Sequence, residues 1–140
     1  MYETDAYHCI LIEDSQLDAF IGQKIIQSFG SVFLTTEVFL DSKKALSEIL
    51  SGGVSSHRTV ILLDIQMPLM NGFQFIEAFE AQASPEIREQ YIISMLSSSI
   101  NEKDLIKAKS YSSVFSFLHK PLKKEMVQEL LESLKLSGKG

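Results

Sequence analysis

Five short apolar runs, at positions 9–12, 32–39, 60–63, 91–96 and 114–118, alternate along the chain with five stretches whose apolar residues recur at helical spacing. The runs have the length and the β-branched or aromatic content of strands. Those at 9–12 and 60–63 are apolar at every position, the pattern of strands covered on both faces rather than on one. In the intervening stretches, Leu17, Phe20, Ile21 and Ile25 share one helical face, as do Ala45, Leu46, Ile49 and Leu50. Phe73, Ile76 and Phe79 define a third helix, Ile100, Leu105 and Ile106 a weaker fourth, and Met126, Val127, Leu130, Leu131 and Leu134 a clear fifth. Ser15 and Asp41 are candidate N-caps of the first two. The segment 82–90 contains Pro85 and reads as a loop or a broken helix end.

This alternation specifies a doubly wound α/β fold of (βα)5 type, with right-handed crossovers and a parallel five-stranded sheet of order 2-1-3-4-5, flavodoxin-like in arrangement. With 140 residues, the chain fits one domain, expected over 1–136, followed by a flexible tail at 137–140. A domain of this size can bury a real core, and 45% hydrophobic with 22% charged residues is ordinary for a soluble globular protein. The net charge of −5 argues against a broad nucleic-acid-binding face. No stretch approaches the length of a membrane span, and the acidic N-terminus lacks a signal-peptide pattern, so a cytoplasmic protein is expected. The single cysteine, Cys9, sits in an apolar run and reads as a small buried residue.

The polar residues that matter stand at the carboxyl ends of the strands. Glu13 and Asp14 follow the first run, Asp64 the third, Ser97 and Ser98 the fourth, and Lys120 the fifth. Open α/β sheets bind ligands in the crevice outside those ends. Singly, each residue has an ordinary role: a helix start, a turn cap, a loop serine, a surface lysine. Their joint placement at one end of four strands is much harder to explain that way. Three converging carboxylates repel, so either one is protonated or a cation joins them. A hard divalent ion with oxygen ligands fits, and Mg²⁺ suits a site that also handles phosphate. His8, His57 and His119 are scattered and give no support for zinc. An aspartate can act as a nucleophile toward phosphorus, and Lys120 with a serine hydroxyl can stabilise the transferred group.

With those residues in place, the segment Ile61-Leu62-Leu63-Asp64-Ile65-Gln66-Met67-Pro68-Leu69-Met70-Asn71-Gly72 resembles the phosphoacceptor segment of two-component response-regulator receiver domains. The pair Glu13-Asp14, the run Ser97-Ser98-Ser99 and Lys120-Pro121 stand in the order and spacing of that family. The resemblance spans roughly 7–135. It implies that Asp64 accepts a phosphoryl group from a phosphohistidine, on a histidine kinase or a histidine phosphotransfer protein. It further implies that Asp14 binds Mg²⁺ directly with Glu13 assisting, and that Asp64 and the Gln66 backbone carbonyl are further ligands. Ser97 would be the switch hydroxyl, and Lys120 would pair with the phosphoryl group, often across a cis bond to Pro121. Such a domain is a signalling module rather than an enzyme. Its output would be a changed surface on the fourth helix, fifth strand and fifth helix, roughly 100–134, for a protein target or a second copy.

Two positions depart from the family pattern. Residue 13 is Glu where Asp is commoner, and Phe117 stands where tyrosine is frequent, able to fill a pocket but with no hydroxyl to donate. Two rival functions are disfavoured by particular residues. An aspartyl-phosphate phosphohydrolase needs a second Asp where this chain has Gln66, which cannot act as acid or base. A flavodoxin needs a phosphate loop where Glu13-Asp14 would repel the phosphate. A third rival, a degenerate receiver that only binds proteins, is disfavoured by the intact acidic pair, Asp64 and Lys120.

Overall fold

The computed structural model describes residues 2–99 and 101–136. Its sheet has five parallel strands, lying side by side in the chain order second, first, third, fourth, fifth, as the alternation required. The strands are β1 (Glu3–Ile12), β2 (Phe33–Phe39), β3 (His57–Asp64), β4 (Tyr91–Ser97) and β5 (Val114–His119). Six α-helices connect and cover them: α1 (Gln16–Gln27), α2 (Ser42–Ser51), α3 (Gly72–Gln82), α4 (Pro85–Gln90), α5 (Glu102–Lys109) and α6 (Lys124–Leu136). The fourth and fifth helices of the sequence reading are therefore α5 and α6.

The continuous apolar runs are explained by burial on both faces. Ile61 and Leu63 of β3 point, with Ile10, Ile12, Ile93 and Met95, into a core closed by α2, α3 and Ala108 of α5. The alternate residues Val60 and Leu62 join Cys9, Leu11, Ile92 and Leu96 in a second core beneath α1 and α6. Phe75, Ile76 and Phe79 of α3 are fully buried, each contributing about 1.5–3 kcal/mol relative to exposure. Cys9 is fully buried, and burial pushes its thiol up to about 12.

Two expectations about helices are corrected. The segment 82–90 is not simply a loop, since α4 forms within it. The Ser84 hydroxyl accepts a bond from the Ile87 N–H at 3.2 Å, and Pro85 takes the first helical position, where its missing N–H costs nothing. Of the apolar face expected of α1, only Ile25 packs against the core, and only in part. Leu17, Phe20 and Ile21 are exposed, and the helix turns Ala19, Gly22 and Ile26 toward the sheet instead. The small residues allow a close approach, with a Cβ at Gly22 falling only 2.8 Å from Leu11 Cδ2. Ile100, assigned to the fourth helix, and the tail at 137–140 lie outside the described residues.

Candidate functional site

The strand order places β1 and β3 side by side at the point where the chain reverses direction across the sheet, so residues at their carboxyl ends face one crevice. Local bonds hold the loops there. The Ile65 N–H donates to the Leu96 carbonyl at 2.9 Å, the Gly72 N–H to the Ile65 carbonyl at 2.9 Å, and the Lys120 N–H to the Ser97 carbonyl at 2.8 Å. The chain after β3 folds tightly. A Cβ at Gly72 would lie 2.9 Å from Ile65 Cα and 3.0 Å from the Asp64 carbonyl oxygen, so only glycine fits. Asn71 caps α3 reciprocally with Gln74, both bonds 2.9 Å long.

Glu13, Asp14 and Asp64 come together as expected, with one carboxylate oxygen from each inside a common span of 4.8 Å. Glu13 and Asp64 are buried, whereas Asp14 is exposed. One Glu13 oxygen accepts from the Ser15 N–H at 3.1 Å and the other contacts the Lys120 ammonium. Asp64 Oδ1 accepts from the Gln66 N–H at 3.3 Å, and Asp64 Oδ2 lies 3.4 Å from Lys120 Nζ.

The electrostatics follow from this crowding. Burial raises the Asp64 carboxyl, and the neighbouring Glu13 charge raises it further; Lys120 opposes them, and the outcome is about 7. Burial alone would lower Lys120, but its bond to Glu13 and the charges of Asp64, Glu13 and Asp18 outweigh it and hold the ammonium above its ordinary value. Two buried carboxylates, a third at the rim and one lysine leave a surplus of negative charge. An all-oxygen donor set with that surplus fits a hard divalent cation such as Mg²⁺.

Other expected residues are placed less directly. Ser97 is fully buried at the end of β4, but its hydroxyl donates to the Ser99 carbonyl at 3.0 Å and accepts the Ser99 N–H at 3.1 Å. Gln66 sits beside Asp64 in sequence, and its side-chain oxygen accepts from the Ser98 hydroxyl at 3.4 Å across the crevice. Phe117, paired in register with Met95, is half-buried against the core under α3. The Lys120–Pro121 peptide is cis. One residue escaped the sequence reading: Asp18, whose Oδ2 lies 3.5 Å from Lys120 Nζ. Asp18 lies in the first turn of α1, directly after the loop that carries Glu13 and Asp14, which was the available signal. Beside Lys120 lies a cavity of about 260 Å³ lined by Leu11, Gly22, Leu96 and Leu122 and, on its polar side, by Glu13 and Asp18.

Comparison with known proteins agrees with this geometry. The family model of the response regulator receiver domain matches residues 9–132. No curated protein matches the chain in sequence. Among solved structures, a response regulator receiver protein from Dyadobacter fermentans is 30% identical with a TM-score of 0.82, over 91% of this chain and 97% of that one. A two-component response regulator from Cytophaga hutchinsonii is 26% identical with a TM-score of 0.78, over 93% and 97%. A chemotaxis protein of Vibrio cholerae, 22% identical with a TM-score of 0.70 over 91% and 98%, shares the fold. A five-stranded sheet of this order, an acidic cluster at its switch point and a family match over most of the chain establish that the protein belongs to the response regulator receiver domains.

Proposed function

We propose that the protein accepts a phosphoryl group from a phosphohistidine onto Asp64, in a Mg²⁺-dependent reaction, and signals through a changed protein-binding surface. The observation that carries this reading is the buried Asp64 carboxylate, gathered with Glu13 and Asp14 and facing the Lys120 ammonium at 3.4 Å. An Asp64 oxygen attacks phosphorus, an O–P bond forms as the N–P bond to the donor imidazole breaks, and the imidazole keeps the electron pair. Glu13, Asp14, Asp64 and the Gln66 carbonyl would hold Mg²⁺, which when bound neutralises charge on the phosphoryl oxygens. Lys120, 3.4 Å from the Asp64 carboxylate, supplies a further positive charge for the phosphoryl oxygens.

Ser97 exchanges its bonds to the Ser99 backbone for one to a phosphoryl oxygen, drawing the end of β4 inward. Phe117 is already partly packed on the neighbouring core, and its ring turns further inward to follow. The altered surface is α5, β5 and α6, where a target protein or a second copy docks. The phosphodonor approaches over α1, whose exposed Leu17, Phe20 and Ile21 offer an apolar rim beside the crevice. The test is incubation with a phosphohistidine-bearing donor. Wild type takes up one phosphoryl group with Mg²⁺ and none with chelator, and Asp64→Asn takes up none. Equal labelling of Asp64→Asn overturns the reading.

A further inference from the structure

We infer that Asp18 is a positioning residue that anchors Lys120 over Asp64 throughout the phosphorylation cycle. The inference rests on the phosphoacceptor reading of Asp64 given above. An ammonium has three N–H donors, and Lys120 Nζ faces three carboxylates: Glu13 in contact, Asp64 at 3.4 Å and Asp18 at 3.5 Å. Two of the three change during the reaction. Glu13 belongs to the carboxylate group that would hold the cation, and Asp64 becomes an acyl phosphate. Asp18 does neither, because it stands on α1 outside the acidic cluster.

Packing does not replace this anchor. The cavity of about 260 Å³ beside Lys120 has apolar walls at Leu11, Gly22 and Leu96, with Glu13 and Asp18 also on its lining, so the side chain has open space on that flank. When Glu13 turns to a cation, an unanchored ammonium is free to swing into that space and away from the phosphoryl oxygens. Asp18, on the lining of the same cavity, is the carboxylate that stays beside the ammonium and limits that swing. Its own side chain is 51% exposed and its backbone N–H is held by the Ser15 hydroxyl, so side-chain substitutions there leave the helix cap intact.

The experiment compares Asp18→Ala and Asp18→Glu with wild type, using acetyl phosphate and Mg²⁺ as the probe, and follows the Lys120 Nζ resonance by NMR without phosphate donor. We expect Asp18→Ala to slow labelling at saturating Mg²⁺ on the order of two- to five-fold, the scale of one part-exposed ion pair. The Mg²⁺ concentration at half-saturation stays within about two-fold of wild type, since Asp18 is not a ligand. The Lys120 resonance shifts or broadens in Asp18→Ala, and Asp18→Glu restores both readouts. Unchanged labelling with an unchanged resonance, faster labelling, or a loss that Asp18→Glu does not restore overturns the inference. If wild type itself fails to label, the phosphoacceptor reading fails, while the Lys120 resonance still decides whether Asp18 holds the ammonium.

Discussion

Replacing Asp64 by asparagine is expected to stabilise the metal-free fold while removing its chemistry. The two side chains are nearly isosteric, and the amide oxygen can still accept the Gln66 N–H that Asp64 Oδ1 accepts at 3.3 Å. What disappears is a buried negative charge beside Glu13. Burial and that neighbouring charge lift the Asp64 carboxyl from an ordinary 3.8 to about 7. Since each factor of ten in proton affinity is worth 1.36 kcal/mol, a displacement of that size sets a ceiling of about 4 kcal/mol. Solvent screening at the mouth of the crevice reduces the effective figure to about 2 kcal/mol. The direction with pH is fixed. Between about pH 4 and pH 7 the folded chain keeps a proton on Asp64 that the unfolded chain has lost, so wild-type stability falls as pH rises through that window. Above it the whole penalty is present, and below it none is. Urea unfolding in chelator, followed by circular dichroism, reads both ends. Asp64→Asn should exceed wild type by about 2 kcal/mol at pH 8 and match it near pH 4. A variant less stable than wild type at pH 8, or a gain that is the same at both pH values, refutes the reasoning.

Three further outcomes are expected. Gly72→Ala should cost about 1–3 kcal/mol in urea unfolding, because its Cβ meets the backbone of Ile65 and Asp64 rather than a movable side chain; it should also slow labelling of Asp64. Leu69 holds φ 68° in an exposed loop, so Leu69→Gly should gain about 0.5 kcal/mol, the relief of strain less the added freedom of the unfolded chain, read by the same unfolding. Asp14→Asn should weaken Mg²⁺ binding by at least about ten-fold in calorimetry. Glu13→Gln should weaken it less, since Glu13 is already engaged by Lys120 and the Ser15 N–H while Asp14 is exposed at the rim.

The strand order and the meeting of Glu13, Asp14, Asp64 and Lys120 were legible because each depends on local signals that the topology then multiplies. A run such as Val60–Ile61–Leu62–Leu63 has one interpretation once helices must cover both sides, and a polar residue at its carboxyl end has one place to go. Helix orientation was less legible. In α1 Leu17, Phe20 and Ile21 face outward because the sheet below is approached through Ala19 and Gly22 and covered by Ile26, a close approach that hydropathy spacing does not encode. The short helix α4 was hidden by Pro85, which breaks a helix in its interior yet suits its first position. Side-chain partners were hidden too. The turn of Ser97 toward Ser99, the pairing of Gln66 with Ser98 and the reach of Asp18 to Lys120 depend on rotamers and loop geometry rather than residue type.

The most direct test of the central claim is chemical localisation of the acyl phosphate. The protein is incubated with acetyl phosphate and Mg²⁺, reduced with borohydride and mapped by peptide mass spectrometry. Reduction converts a phosphorylated aspartate into homoserine, so the modified position is marked permanently. The account places that mark on Asp64, dependent on Mg²⁺ and absent when chelator is added. A mark on Glu13, Asp14 or Asp18 instead, or no mark on Asp64 after donor treatment with Mg²⁺, contradicts it.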